Sequence, residues 1–483
     1  MHGMLQISKL MLASLVGLTT MFGCGEKPQK GAESFEQAVE AQKSGDKAKT
    51  MELLRQAAEA GHTTAMCRLG QLCFAGYETG QADPAAALQW LTRAAEAGDA
   101  EGNYLLGLCA DQGRGMEKNP VKAVECWTKA AEADYAPALV TLGLAHANGY
   151  GGLERSIEKA VECYGKAAAA DNAQGCYNMA VCHDQGRGAE KNPVKAVEYA
   201  SRAAAAGHSD GCLFMGKAHL RGYGELKKDD AAALGFLTRA ADAGNVEAQL
   251  LVGKMAFDGQ GMKKDYAVAV RYLELAGKAG NGEALCLLGA CYDAGLGVEK
   301  NPVKAVETWK LSANAQNSRA AYYLGRCVSQ GYATKQDPAL AAQLYAIAAQ
   351  QGDALGMKEY ADCLLEGRGV EKNEAAAVKL YTRLAEAGVV DGMLKLGQCL
   401  DAGRGVEKNA EQARDWWRKA VAAGSEEAAK LLAPAEQPKA EAPKPAEQPA
   451  PAEQPAPAEQ PAPAEQSAPA EQSAPAEQPA PQQ

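Results

Sequence analysis

Small, large and polar side chains recur along this chain with two nested periods. In "DAEGNYLLGLCADQG", from Asp99 to Gly113, Gly102, Leu106, Gly107 and Cys109 fall on one side at helical spacing. In "PVKAVECWTKAAEA", from Pro120, apolar residues again return every third or fourth position. Each window predicts a helix, and the pair itself repeats. Cutting after every "AAEAG"-like string gives blocks that start at His62, Asp99, Tyr135, Asn172, His208, Asn245, Asn281, Asn317, Asp353 and Val389, 36 or 37 residues apart. A divergent half-copy runs from Ser34 to Gly61, and a short one, "SEEAAKLLA", starts at Ser425. One helix pair cannot bury its apolar face alone, so the copies are expected to stack into a continuous core over residues 34–432.

The punctuation between helices is equally regular. Asn119 before Pro120 is a side-chain cap followed by a residue whose missing N–H does no harm, and Asp83-Pro84, Asn192-Pro193, Asn301-Pro302 and Asp337-Pro338 repeat it. The fourth residue of every block is Ala or Gly, and the ninth is Gly in eight blocks and Ala in two. Glycine inside a helix costs about 1 kcal/mol relative to alanine. Its recurrence therefore calls for a packing reason, expected to be close approach of a neighbouring backbone. One aromatic per block, at Trp90, Trp127, Tyr164, Tyr199, Phe236, Tyr272, Trp309, Tyr345, Tyr381 and the Trp416-Trp417 pair, is expected in the core.

The string "GRGMEKNPVKAVE" at Gly113 nearly returns as "GRGAEKNPVKAVE" from Gly186 and as "GLGVEKNPVKAVE" from Gly295. Its paired glycines ahead of a lysine invite a phosphate-loop reading. A phosphate loop follows a strand and opens a helix, whereas here the first glycine falls just past a helix, where a left-handed residue ends it.

Composition sharpens this picture at the two ends. The formal charge is −10, but the last fifty residues hold eight Glu and two Lys, so the repeats are near balance and carry no basic footprint for nucleic acid. From Pro434 the chain reads "PAEQPKAEAPKPAEQPAPAEQ…", with 14 of the 21 prolines and nothing aliphatic larger than Ala. Residues 433–483 cannot bury a core, and a solvated, disordered tail rich in polyproline conformation is expected there. At the other end, Lys9 precedes an apolar run from Leu10 to Phe22, too short for an ordinary transmembrane helix, and small residues follow around Cys24. Residues 1–23 read as an export signal and 24–33 as a linker.

Two family resemblances follow. The ending Gly23-Cys24 resembles a bacterial lipoprotein signal, which implies acylation of Cys24 and a membrane anchor there; Met21 and Phe22 depart from that pattern, and the alternative is a plain secretory signal. Gly25 fits transfer to an outer membrane facing the periplasm. The strings "ALCLLGACYDAGLGVEKNPVKAVETWKLSA" (Ala284 to Ala313) and "GMLKLGQCLDAGRGVEKNAEQARDWWRKAVAAG" (Gly392 to Gly424) resemble the Sel1-like repeat, a relative of the tetratricopeptide repeat. That resemblance implies an all-α, right-handed α/α superhelical solenoid of about ten to eleven repeats of about 36 residues. It also implies a non-enzymatic scaffold with a protein or peptide partner in its concave groove and no cofactor. Some relatives suggest alternatives: binding or hydrolysis of β-lactams or cell-wall peptides, or support of exopolysaccharide secretion. The block from Asn317 departs most, with Gln316 before it and Ala333 in place of the second loop glycine.

Residues that could carry chemistry are few. Cysteines occupy the eleventh position in six blocks, at Cys109, Cys182, Cys291, Cys327, Cys363 and Cys399, where they read as small hydrophobes. Some secreted members of the family bridge their two helices. By that resemblance Cys109 and Cys126 form the one cross-helix candidate disulfide, whereas Cys163 would need Cys176 or Cys182 next door. His146, His183 and His219 share the twelfth position of consecutive blocks and read as half-buried rings, because stacked repeats stand too far apart to share a zinc ion. No catalytic nucleophile with a base, cofactor motif or metal motif occurs at recognisable spacing.

Overall fold

The computed structural model describes residues 30–432 and contains 23 α-helices and no strand among them. The signal and Cys24, with most of the linker, and the Pro-rich segment 433–483 lie outside the described residues. The first helix of each pair is α1 (Ala32–Lys43), α3 (Thr63–Ala75), α5 (Ala100–Gln112), α7 (Ala136–Asn148), α9 (Ala173–Gln185) and α11 (Ser209–Arg221). It continues as α13 (Val246–Asp258), α15 (Gly282–Ala294), α17 (Ser318–Gln330), α19 (Ala354–Glu366), α21 (Val390–Ala402) and a closing α23 (Glu426–Leu432). The second helices are α2 (Lys47–Glu59), α4 (Pro84–Glu96), α6 (Pro120–Glu132), α8 (Ile157–Ala169), α10 (Pro193–Ala205) and α12 (Asp230–Asp242). They continue as α14 (Tyr266–Lys278), α16 (Pro302–Asn314), α18 (Pro338–Gln350), α20 (Glu374–Glu386) and α22 (Ala410–Ala422). The first helix begins at Ala32, two residues ahead of the expected Ser34.

Every block start read from the sequence is a helix N-cap: the side chain of Asp99 accepts from Gly102 N at 2.8 Å, and that of Asn172 from Gly175 N at 2.9 Å. Asn119 and Asn301 cap the second helices in the same way, at 3.0 and 2.9 Å. The first glycine of the GRG string ends the helix in the left-handed region, with Gly113 at φ 69°, and the amide of Arg114 bonds to Cys109 O at 3.0 Å. Those amides are committed to helix carbonyls, which removes the phosphate-cradle reading.

The ninth-position glycines are explained by side chains more than by backbone. A Cβ on Gly107 would lie 2.5 Å from the Trp127 ring and one on Gly289 2.5 Å from Trp309, both belonging to the second helix of the same repeat. Close approach of a backbone does hold at the fourth position, where a Cβ on Gly102 would come within 3.0 Å of the Ala94 carbonyl carbon in the preceding repeat. The expected single aromatic position is in fact two adjacent ones. Trp127, Tyr164, Trp309, Tyr345, Tyr381 and Trp417 stand at the eighth helical residue and are buried. Trp90, Tyr199, Phe236 and Trp416 stand one residue earlier and are half-exposed, each under a cation three residues on, such as Arg93 at 4.6 Å from the Trp90 ring, whereas Tyr272 at that same earlier position is buried and donates to Asp242 at 2.9 Å.

The junction singled out by its sequence keeps its shape under strain. Gln316 and Ala333 hold φ of 61° and 54°, the left-handed conformation that glycine supplies in most other repeats, Asp134 and Asp171 being the other exceptions at the position of Gln316.

Candidate functional site

The curvature of the stack decides which surface can hold a partner. First helices of neighbouring repeats touch one another directly, as α3 does α5, α7 does α9, α13 does α15 and α17 does α19. Among the described residues no pair of neighbouring second helices packs comparably. The first helices therefore lie on the shorter, inner arc, and their outward positions line the concave face.

That face is built from rungs between repeats. The tenth residue of one block meets the third of the next: Gln71 Nε2 donates to Glu101 at 3.2 Å, and Lys217 and Lys254 pair with Glu247 and Glu283 at 2.5 and 3.0 Å. A second row links the third residue or its neighbour to the next cap. Thr63 donates to Asp99 at 2.6 Å, Asn245 to Asp210 at 2.9 Å, and Arg319 to Asp353 at 2.6 Å. Between the rungs stand aromatic residues: Tyr104 beside Tyr135 at 5.5 Å, Tyr177 stacked on His208 at 4.9 Å, and Tyr322 beside Tyr323. The exposed pairs of Lys217 and Lys254 contribute about 0–1 kcal/mol each, so they set orientation more than stability. In chemical terms the face offers rings, amides and charges of both signs, a surface for reading a polypeptide.

Glu101 is the most strained member. Burial and the nearby Asp99 raise its carboxyl above the usual range, against the hydrogen bond from Gln71 and the charge of Arg68. The folded chain thus holds that proton more tightly than the unfolded chain, and the stability it contributes at low pH is lost as pH rises through the raised value. Glu101→Gln keeps an acceptor for Gln71. Thermal denaturation should show a higher midpoint for the variant at neutral pH, and no difference near pH 4, about where a free glutamate titrates.

At the rim, the thirteenth residue of one repeat meets the second loop residue of the next. Asp111 accepts from Tyr150 and Asp184 from Tyr223, and burial followed by the aspartate partner pushes both phenols up to about 12. Asp293 accepts from Tyr332 at 2.8 Å, and Phe74 lies 4.6 Å under the Arg114 guanidinium. None of these pairs was legible in the sequence, since each joins residues about 40 positions apart across a junction.

The residues singled out from the sequence are dispersed. Cys109 and Cys126 sit on the facing helices α5 and α6 of one repeat, both buried and both thiols in the structure; burial pushes Cys109 up to about 12. His183 and His219 each stack on the ring of their own second helix, Tyr199 at 5.7 Å and Phe236 at 5.6 Å, and His183 Nδ1 lies 3.0 Å from Glu190 O. No cluster of three or more metal-ligating side chains exists among the described residues, and no helix there is long and apolar enough to cross a membrane.

This architecture matches a family model described as the Sel1 repeat at eleven consecutive stretches, from residues 41–62 to residues 390–425. The chain belongs to the Sel1 repeat family. Its fold is similar to the crystal structure of c5321, a protective antigen of uropathogenic Escherichia coli, with TM-score 0.61 and 28% identity over 79% of this chain and 89% of that one. A Sel1 repeat protein from Oxalobacter formigenes is similar at TM-score 0.52 and 26% identity, over 65% of this chain and 90% of that one. DAP3-binding cell death enhancer 1 of Mus musculus is 33% identical over 93 residues, 19% of this chain, and the chain spans only 18% of that relative's length. The Sel1 chain is thus a helical-repeat scaffold, of the architecture that presents extended concave surfaces to protein partners.

Proposed function

We propose that this Sel1 solenoid is a non-catalytic scaffold of the bacterial cell envelope, tethered through an acylated Cys24 and holding a protein or peptide in its concave groove. The observation that carries the binding part is the groove itself, where first helices present Tyr177, Tyr322 and Tyr323 between rungs of paired charge. Aromatic side chains supply large contact area at small cost in conformational entropy. The Escherichia coli relative is a protective antigen, which accords with export of this chain, and the murine relative is named for binding another protein. The tether rests on the Leu10 to Phe22 apolar run before Gly23-Cys24.

Two measurements separate the parts. Cell fractionation should find the native chain in the membrane pellet and Cys24→Ser in the soluble fraction; a pelleted Cys24→Ser would end the tether. The full chain purified in mild detergent should carry its partner, and the Tyr177→Ala/Tyr322→Ala double variant should retain roughly tenfold less. The outer-face variant Val303→Ala/Leu311→Ala should retain it in full, and the reverse pattern would overturn the groove.

A further inference from the structure

The seam of rim pairs is irregular, and its smallest residue falls at a single junction. The thirteenth residue is Phe74, Asp111, Asp184, Leu220, Phe257, Asp293, Ser329, Leu365 or Asp401 in nine blocks, and in the tenth it is Ala147. With no side chain to fill that position, the junction between α7 and α9 opens into a cleft of about 320 Å³ that reaches down to Ile157, Ala160 and Tyr164 on α8. One repeat further on, the corresponding cleft holds about 260 Å³ and is lined by Asp184 and Tyr223, whose hydrogen bond crosses it; no second-helix residue lines it. The deeper cleft coincides with the smallest thirteenth residue of the repeating frame.

Its polar groups are placed and incompletely used. Asn178 accepts from Gln174 Nε2 at 3.0 Å, and Gln174 Oε1 is held in turn by His208 Nε2 at 3.0 Å, so the amide is fixed by a chain of bonds. Its Nδ2 is buried and has no partner. Arg187 stands at the loop position that Tyr150 and Tyr223 occupy elsewhere, but faces Ala147 in place of a carboxylate. Arg187 is exposed, its guanidinium donates to Gln185 Oε1 at 3.5 Å, and it forms no ion pair among the described residues. Apolar walls, one unused amide donor and one guanidinium without a counter-charge describe a ligand with an apolar body beside an anionic, hydrogen-bond-accepting group. Leu144, Tyr177 and Val181 line both the cleft and the concave face, so a chain lying in the groove can end in it.

We propose that this cleft captures the C-terminal residue of a peptide, its apolar side chain between Ile157, Ala160 and Tyr164 and its carboxylate on Arg187 with the Asn178 amide. The assignment rests on reading the groove as a polypeptide surface and adds the place where that polypeptide ends.

The test uses the full chain and fluorescence anisotropy of labelled Gly-Ser-Gly-Ala-Leu, as the free acid and as the C-terminal amide. The free acid should bind saturably, and the amide roughly tenfold or more weakly, the value of a charge-assisted hydrogen bond. Ala147→Phe fills the position with the residue found at Phe74 and Phe257, and should abolish binding without shifting the melting midpoint. Arg187→Gln, on an exposed loop, should lose about tenfold for the acid and little for the amide. Equal binding of acid and amide, full binding by both variants, or free leucine competing as tightly as the peptide would each overturn the cleft. Peptide held by Ala147→Phe but released by Tyr322→Ala would leave the groove standing and remove the cleft. Peptide lost in Ala147→Phe but kept by Tyr322→Ala would do the opposite.

Discussion

Replacing Trp309 by alanine should cost about 3–5 kcal/mol, the range for deleting a buried tryptophan side chain, and should divide the thermal unfolding of the solenoid into two transitions. Trp309 is 1% exposed, its Nε1 donates to Cys286 O at 3.1 Å, and its ring stacks on Tyr323 of the following repeat at 5.0 Å. One side chain thus joins two helices of its own repeat and the next repeat as well. Repeat proteins are stabilised by neighbour contacts alone, so a break at one interface uncouples the segments on either side. The adjoining repeat already holds two non-glycine residues, Gln316 and Ala333, in left-handed conformations, a further cost of about 1–2 kcal/mol per residue that favours separation here. Trp90→Ala is the control. That ring is half-exposed against Arg93, and its loss should cost well under half as much and leave a single transition. Calorimetry of both variants distinguishes the buried aromatic position from the half-exposed one.

Gly115→Val should be nearly as damaging, although the residue is in a loop and carries no side chain. Gly115 holds φ 73°, and a Cβ there would lie 2.5 Å from Pro84 O, at the start of the second helix of the preceding repeat. The left-handed conformation costs a side chain about 1–2 kcal/mol, and the overlap with a backbone carbonyl that cannot rotate away adds about 1–3 kcal/mol. Gly113→Ala, two residues earlier, meets nothing nearer than Lys118 Cβ at 3.3 Å and should cost the conformational part alone. Urea denaturation of the pair would separate the roles: the first glycine ends a helix, and the second makes room for the neighbouring repeat.

Those two glycines also mark where sequence reading stops. The period and the block starts at His62 through Val389 follow from local chemistry, because a cap, a helical stripe and a terminating glycine are all written within a few residues of one another. The same holds for Pro120 and its counterparts at the second-helix starts. The close approach of Gly115 to Pro84, the ring of Trp127 over Gly107, and the pairing of Asp184 with Tyr223 join different helices, and no local period signals them. The adjacent aromatic positions merged for a related reason: one residue of offset on a helix turns a side chain by 100°, enough to carry Trp90 out of the core that encloses Trp127. The cleft at Ala147 was hidden most deeply. An alanine among many is visible only after the register across the junction shows what its counterparts do.

The central claim is that the concave face of first helices is the working surface. A photo-crosslinking residue placed at Tyr177 or Tyr322 on that face, and in parallel at Val303 or Leu311, which are 56% and 58% exposed on a second helix, tests it in intact cells. After irradiation, mass spectrometry should find one common protein joined to positions 177 and 322 and absent from 303 and 311. The same protein joined from 303 and 311, with positions 177 and 322 unlinked, would contradict the account.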